Sequence, residues 1–288
     1  MLIAVVLPIA AAVSFSLSHL FVRLGMDESN PSTAVAVNVA ANGVGLWVLA
    51  MILSPIRPLA SWGVWPFAVA GIFAPSLART FLFHGYKHMG MARSDVITGS
   101  VPIFSVAMAV SFLGERPSPI MFLGTAGIVV GIGLLSYRPN STKPWSRWAV
   151  LLPLGAAFCF SLREILSKMG LARVPVPIGG AALMATVAAV VLYLSFLLPG
   201  TKAPFTLTRR SLFLFSLGGL MVTVAYACVF TALRSSMVSL VSPLLGTQPL
   251  YSLLFSFLFL QSTERVTGRV VLGGLLVVAG AAGIILVR

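Results

Sequence analysis

Six acidic side chains, three histidines and two cysteines are all that this 288-residue chain offers for acid–base, nucleophilic or metal chemistry, and they do not converge. Asp27 and Glu28 follow the first apolar run. Glu115 and Glu264 each precede an arginine at the end of an apolar run, where ion pairing and helix termination outweigh a transport role. Asp95 and Glu164 remain. Glu164 lies inside an apolar stretch, and an ionisable group within a membrane span is a functional hypothesis by default. The plain alternative is an ion pair with Lys168, four residues on in the favourable order. Arg163 is adjacent but about 100° round a helix. The two are therefore expected to aim at different points, one into a pocket and the other toward the interface.

Arg79, among Ala78, Thr80 and Phe81, is the telling cation. Its fork suits a carboxylate or phosphate, and the structural alternative is a buried pair with Glu164 or Asp95. His84 and His88 have the spacing of a metal pair but no acidic or thiol neighbours, so neither metal nor cofactor is assigned. Cys159 and Cys228 lie in apolar runs and read as packing residues. Walker A, HExxH and Gly-x-Ser-x-Gly patterns are absent, which leaves ATP-driven transport and motif-recognised hydrolysis without support.

The uncharged polar residues are better suited to line a substrate pocket. Asn38 and Asn42 share a helix face, and Tyr226, Gln248 and Tyr251 place hydrogen-bonding groups in otherwise apolar runs. Helix-to-helix hydrogen bonding is the alternative for each. Pro102 and Pro249 are expected to kink their helices, freeing carbonyls that are tolerated only against protein or a wet cavity. A pocket near the second, third, fourth, eighth and ninth helices follows.

Those helices must be membrane spans. The chain is 58% hydrophobic and 9% charged, against about a quarter charged in soluble domains. Apolar runs long enough to cross a bilayer, roughly 20 residues, recur almost end to end. They predict an all-α fold of ten helices, at 2–22, 33–53, 64–86, 94–113, 118–137, 148–168, 177–198, 211–232, 237–260 and 267–287. The formal charge of +13 is scattered singly or in twos and threes between runs. That pattern fits topology and membrane lipids, not nucleic acid. The first run has no basic residue before it and is long for a signal peptide, so it is read as a retained helix.

Pro8-x-x-Ala11-Ala12-x-x-Phe15-Ser16-Leu17 recurs as Pro153-x-x-Ala156-Ala157-x-x-Phe160-Ser161-Leu162. The same spacing carries Arg23 onto Lys168, Gly25 onto Gly170 and His19 onto Glu164. Glu115-Arg116 with Gly124 and Gly131 matches Glu264-Arg265 with Gly273 and Gly280. Duplication predicts repeats at 1–138 and 148–288, joined by a polar connector at 139–147. Five helices per repeat is odd, so the second enters the membrane from the opposite side. Inverted repeats of this kind characterise secondary transporters, with the site near the midplane. His19 and Glu164, where the copies differ, are the expected coupling residues.

These residues also resemble a family. Phe-Leu-Gly-Glu-Arg-Pro at 112–117, the glycine-rich helix after it and the repeated Pro-x-x-Ala-Ala-x-x-Phe-Ser-Leu openings are similar to the drug/metabolite transporter superfamily, in its EamA-type ten-helix members. Two departures bear on subfamily: the second copy reads Leu260-Gln261-Ser262-Thr263-Glu264-Arg265, without glycine, and Phe15 and Phe160 stand where tryptophan is frequent. The resemblance implies a multi-pass cell (inner) membrane exporter of amino-acid-like or amphipathic metabolites, and Glu164 points to protons as a coupling ion. An integral membrane enzyme acting on a lipid or isoprenoid is the competing class, and an accessory membrane subunit the third. Loop charges and resemblance conflict on orientation: eleven basic residues follow odd-numbered helices against six elsewhere outside the spans, which puts the termini outside, whereas the resemblance implies termini inside. The Gly127/Gly131 pair suits tight packing within the chain, or a dimer seam. Substrate and oligomeric state stay open.

Overall fold

The computed structural model describes residues 2–55, 57–89, 97–136, 147–196, 205–259 and 268–286. It is an all-helical bundle of ten membrane-crossing segments. They are α1 (Leu2–Gly25), α2 (Pro31–Leu53), α3 in two arms (α3a Trp65–Gly71, α3b Ala78–Met89), α4 (Val101–Leu113) and α5 (Pro119–Ser136). The second half comprises α6 (Leu151–Arg173), α7 (Pro177–Phe196), α8 (Arg209–Ser235), α9 in two arms (α9a Val238–Leu245, α9b Gln248–Phe259) and α10 (Gly268–Leu286). Asp95, Glu264, Arg265 and most of the connector lie outside the described residues.

Several boundaries differ from the hydropathy reading because polar residues extend the helices. α1 continues through Arg23 to Gly25, and α8 starts at Arg209. There Thr208 closes a capping box with Ser211, satisfying amides that a helix start leaves open. Asn30 caps α2 by accepting from the Thr33 amide at 2.9 Å, with Pro31 next.

The halves interlock rather than sit side by side. α1 packs on α8 while α6 packs on α3; α2 packs on α8 while α7 packs on α3; α9 packs on α1 while α4 packs on α6. Each pairing has its mate, as two inverted copies related by a two-fold axis require. Side chains repeat the relation: Phe215 of α8 lies over Gly25, and Phe67 of α3a lies over Gly170, the repeat mate of Gly25. Both phenylalanines are fully buried.

Across the axis α5 meets α10, where lipid-soluble helices have no hydrophobic drive to associate and backbones must approach closely. A methyl on Gly280 would fall 2.5 Å from the Gly124 carbonyl, and one on Gly131 would fall 2.7 Å from the Gly273 carbonyl. The glycine-rich stripe is therefore used for packing within the chain. Large apolar side chains such as Met51, Phe112, Leu123 and Leu275 point outward, as lipid contact demands.

The fourth and ninth segments break at corresponding places. Gly99-Ser100-Val101-Pro102 and Gly246-Thr247-Gln248-Pro249 each put a proline just inside the following arm. Proline removes an amide donor and clashes with the preceding turn. The hydroxyls of Ser100 and Thr247 donate to the carbonyls of Ile97 and Leu244, each at 2.6 Å. The sites abut, since a Cβ on Gly246 would lie 2.9 Å from Pro102 Cγ. The expected kinks thus meet at one place between the halves.

Candidate functional site

Around this meeting point the ionisable residues are distributed unevenly. Ser161 of α6 donates to the Val101 carbonyl at 3.0 Å, and its mate Ser16 of α1 donates to the Gln248 carbonyl at 2.9 Å. Each serine also back-bonds to its own helix, at Ala157 and Ala12. Each break is therefore tied to the opposite half through the first carbonyl of the arm that follows it. One turn further along α1, His19 exposes much of its ring between buried Ser18 and Leu20. Gln248 Nε2 is 3.2 Å from His19 Nδ1.

The repeat mate of His19 is Glu164, and its surroundings correct three expectations. Glu164 accepts from the Ser105 hydroxyl at 2.7 Å and pairs with Arg163 at 3.1 Å, both partners of the ion pair being buried. The hundred-degree separation on the helix did not keep the two apart, because the long arginine stem folds back on the neighbouring carboxylate. Neither side chain snorkels. Nor does Lys168 pair with Glu164: its ammonium donates to the carbonyls of Leu233 and Ser236 at 2.6 and 2.7 Å. At the C-terminus of α8 unpartnered carbonyls and the helix dipole attract a cation.

The Arg163 guanidinium lies 5.5 Å from the centre of the Tyr226 ring and 6.0 Å from that of Phe160. Tyr226 is buried and packs edge-on against Phe15 at 5.5 Å. Arg79, in the first turn of α3b, lies within electrostatic reach of Tyr226, Arg163 and His19. It reaches this place because α3 is interrupted from Ile72 to Leu77, with Ala74 extended and Pro75 inside. The Ser76 hydroxyl ties the interruption to the Ala188 carbonyl of α7 at 2.8 Å. Arg79 donates to Asn38 Oδ1 at 3.4 Å and not to Glu164; Asp95, the other partner weighed, lies outside the described residues. Asn38 is buried, its amide nitrogen 3.4 Å from the Ser18 hydroxyl.

Of the sequence-derived pocket residues, Asn38, Arg79, Tyr226, Gln248, His19 and Glu164 thus gather in the interior between the halves. Tyr251 is half-buried on α9b, one turn beyond Gln248. Asn42 belongs elsewhere: the Thr223 hydroxyl lies 3.3 and 3.4 Å from its backbone and side-chain oxygens, in a tight α2–α8 contact where a Cβ on Gly45 would strike Thr223. That is the helix-to-helix alternative. Glu115 caps α9a, accepting from the Val238 and Ser239 amides at 2.7 and 2.9 Å and from the Ser239 hydroxyl at 2.7 Å. His84 and His88 are exposed on α3b. Sequence reading missed Ser105 and the inter-half hydrogen bonds of Ser16 and Ser161, although both serines stand inside the repeated opening that revealed the duplication.

Fold and site define a polytopic membrane protein of two inverted helical repeats enclosing a charged interior. The chain belongs to the EamA-like transporter family, whose sequence pattern matches residues 2–137 and again 147–286. It is thereby a multi-pass member of a family of small-molecule transporters. A solved structure titled "Crystal structure of protein" is similar with a TM-score of 0.82 over 99% of this chain and 96% of that one, at 19% identity, a likeness of fold. Comparison with curated protein sequences gives no match.

Proposed function

We propose that the protein is a secondary transporter that exports small metabolites, amino-acid-like or amphipathic, across the cell (inner) membrane by alternating access. Proton movement is coupled through Glu164, with His19 as its counterpart in the other half. Asn38, Arg79, Tyr226, Gln248 and Tyr251 contact the substrate.

The observation that carries this reading is where the two ionisable mates reach. His19, in the first half, meets Gln248 of the second, and Glu164, in the second half, meets Ser105 of the first. Both contacts cross the joint between repeats, so rocking one repeat on the other alters them. Protonating Glu164 removes the charge that holds Arg163. Proton occupancy and conformation are then linked, since each state favours a different set of contacts.

Reconstitution into proteoliposomes with an imposed pH gradient tests the coupling. Glu164→Gln is expected to abolish the pH-driven component while leaving substrate exchange. Unchanged pH-driven transport in that variant removes Glu164 from the mechanism.

A further inference from the structure

We infer that the transported compound is an amphipathic organic monoanion, its carboxylate held by Arg79, rather than a zwitterion or a cation. The inference rests on the transporter reading and narrows it to a substrate class.

Charge balance among the ionisable residues between the halves favours an anion. Among the described residues Arg79 has one hydrogen-bond partner, the neutral amide oxygen of Asn38, at a long 3.4 Å. A guanidinium carries five donors, and leaving a charge uncompensated inside a membrane protein is costly. Arg79 is only partly covered, so the unused donors are open to a ligand. Arg163, the neighbouring cation, is neutralised by Glu164 at 3.1 Å. Arg79, Arg163 and Glu164 together leave the site with one excess positive charge.

A bound ammonium group would need a carboxylate of its own. Asp27 and Glu28 lie in the turn between α1 and α2, Glu115 is committed to the α9a amides, and Glu164 is held by both Arg163 and Ser105. The described residues therefore supply a counter-ion for an anion and none for an amine. A monoanion makes the loaded site neutral, which lowers the cost of carrying charge across the midplane. Half-buried Phe15, packed edge-on against buried Tyr226, offers the rest of the ligand a face that suits an apolar or aromatic body. The adjacent Gln248 and His19 nitrogens offer a polar contact.

The test uses the purified full-length protein and a charge-matched panel: 3-phenylpropionate, its amide, 3-phenylpropylamine and phenylalanine, with hexanoate and hexanamide as an aliphatic pair. Thermal unfolding in detergent against ligand concentration reads binding without transport. Each carboxylate is expected to raise the unfolding midpoint with half-saturation roughly tenfold below that of its amide, the gain of a charge-assisted bidentate contact. Arg79→Gln should erase that preference and Arg79→Lys should retain part of it, which separates loss of the site from loss of the fold. The proposal is overturned if the amine or phenylalanine binds as well as the carboxylate, if no carboxylate outperforms its amide, or if the preference survives Arg79→Gln. Counterflow of labelled 3-phenylpropionate in proteoliposomes reads the other claim: binding without counterflow removes the transporter reading and leaves the anion site standing.

Discussion

The hydroxyl of Ser161 donates to the Val101 carbonyl across the joint between the halves, at 3.0 Å, and the symmetry-related Ser16 does the same for Gln248 at 2.9 Å. Val101 and Gln248 open the arms that follow the two breaks, so these serines pin each arm to the opposite half. Ser16→Ala and Ser161→Ala are each expected to lower stability by about 1 kcal/mol, measured by unfolding in detergent. Equal sensitivity of the two positions is the signature of the two-fold relation. Thr substitutions should restore part of the loss.

The α5–α10 seam depends on backbone approach. Gly280→Ala places a methyl 2.5 Å from the Gly124 carbonyl, and backbone cannot swing aside as a flexible side chain can. A loss of about 1–3 kcal/mol is expected. Gly133→Ala, which meets nothing within 4 Å, is the control and should hold or slightly raise the unfolding midpoint.

The turn between α1 and α2 carries a pH-dependent contact outside the membrane. Glu28 accepts from Thr208 at 2.8 Å and Arg210 at 3.0 Å, and these hydrogen bonds hold its carboxyl below the usual value of 4.5, the Thr208 bond foremost. Because the folded value is depressed, the contact's contribution is present above pH 4.5 and is lost as pH falls through the lowered value. Glu28→Gln should unfold slightly earlier than the parent at neutral pH and match it in acid. A constant difference across the titration would show that the carboxylate's charge is not involved.

How far the sequence reveals this arrangement differs from element to element. Hydropathy marks the apolar runs because the bilayer demands them, and the Pro-Ala-Ala-Phe-Ser-Leu match turns a multispanning chain into two repeats. The break sites were harder to align, since the spacing between copies shifts from 145 residues at Ser16 and Ser161 to 147 at Pro102 and Pro249 as loops differ in length. Arg79, Asn38 and Gln248 stand out in the sequence because polar groups are conspicuous in apolar runs. The same rule admitted Asn42, which serves the α2–α8 contact, because polarity alone does not say whether a neighbour or a cavity receives the hydrogen bond. Pairings were least legible. Arg163 and Glu164 joined despite their angular separation, and Lys168 preferred the carbonyls at the end of α8, because long flexible side chains choose among partners that only the tertiary fold brings near.

The proposed alternating access would place His19 within reach of each side of the membrane in turn, and this is the claim most open to direct test. His19→Cys, with Cys159 and Cys228 replaced by alanine, is to be treated in oriented vesicles with a membrane-impermeant thiol reagent from one side and then the other. The account predicts modification from both sides, with 3-phenylpropionate changing the two rates in opposite directions. Modification from one side alone, unaffected by ligand or pH, would contradict it.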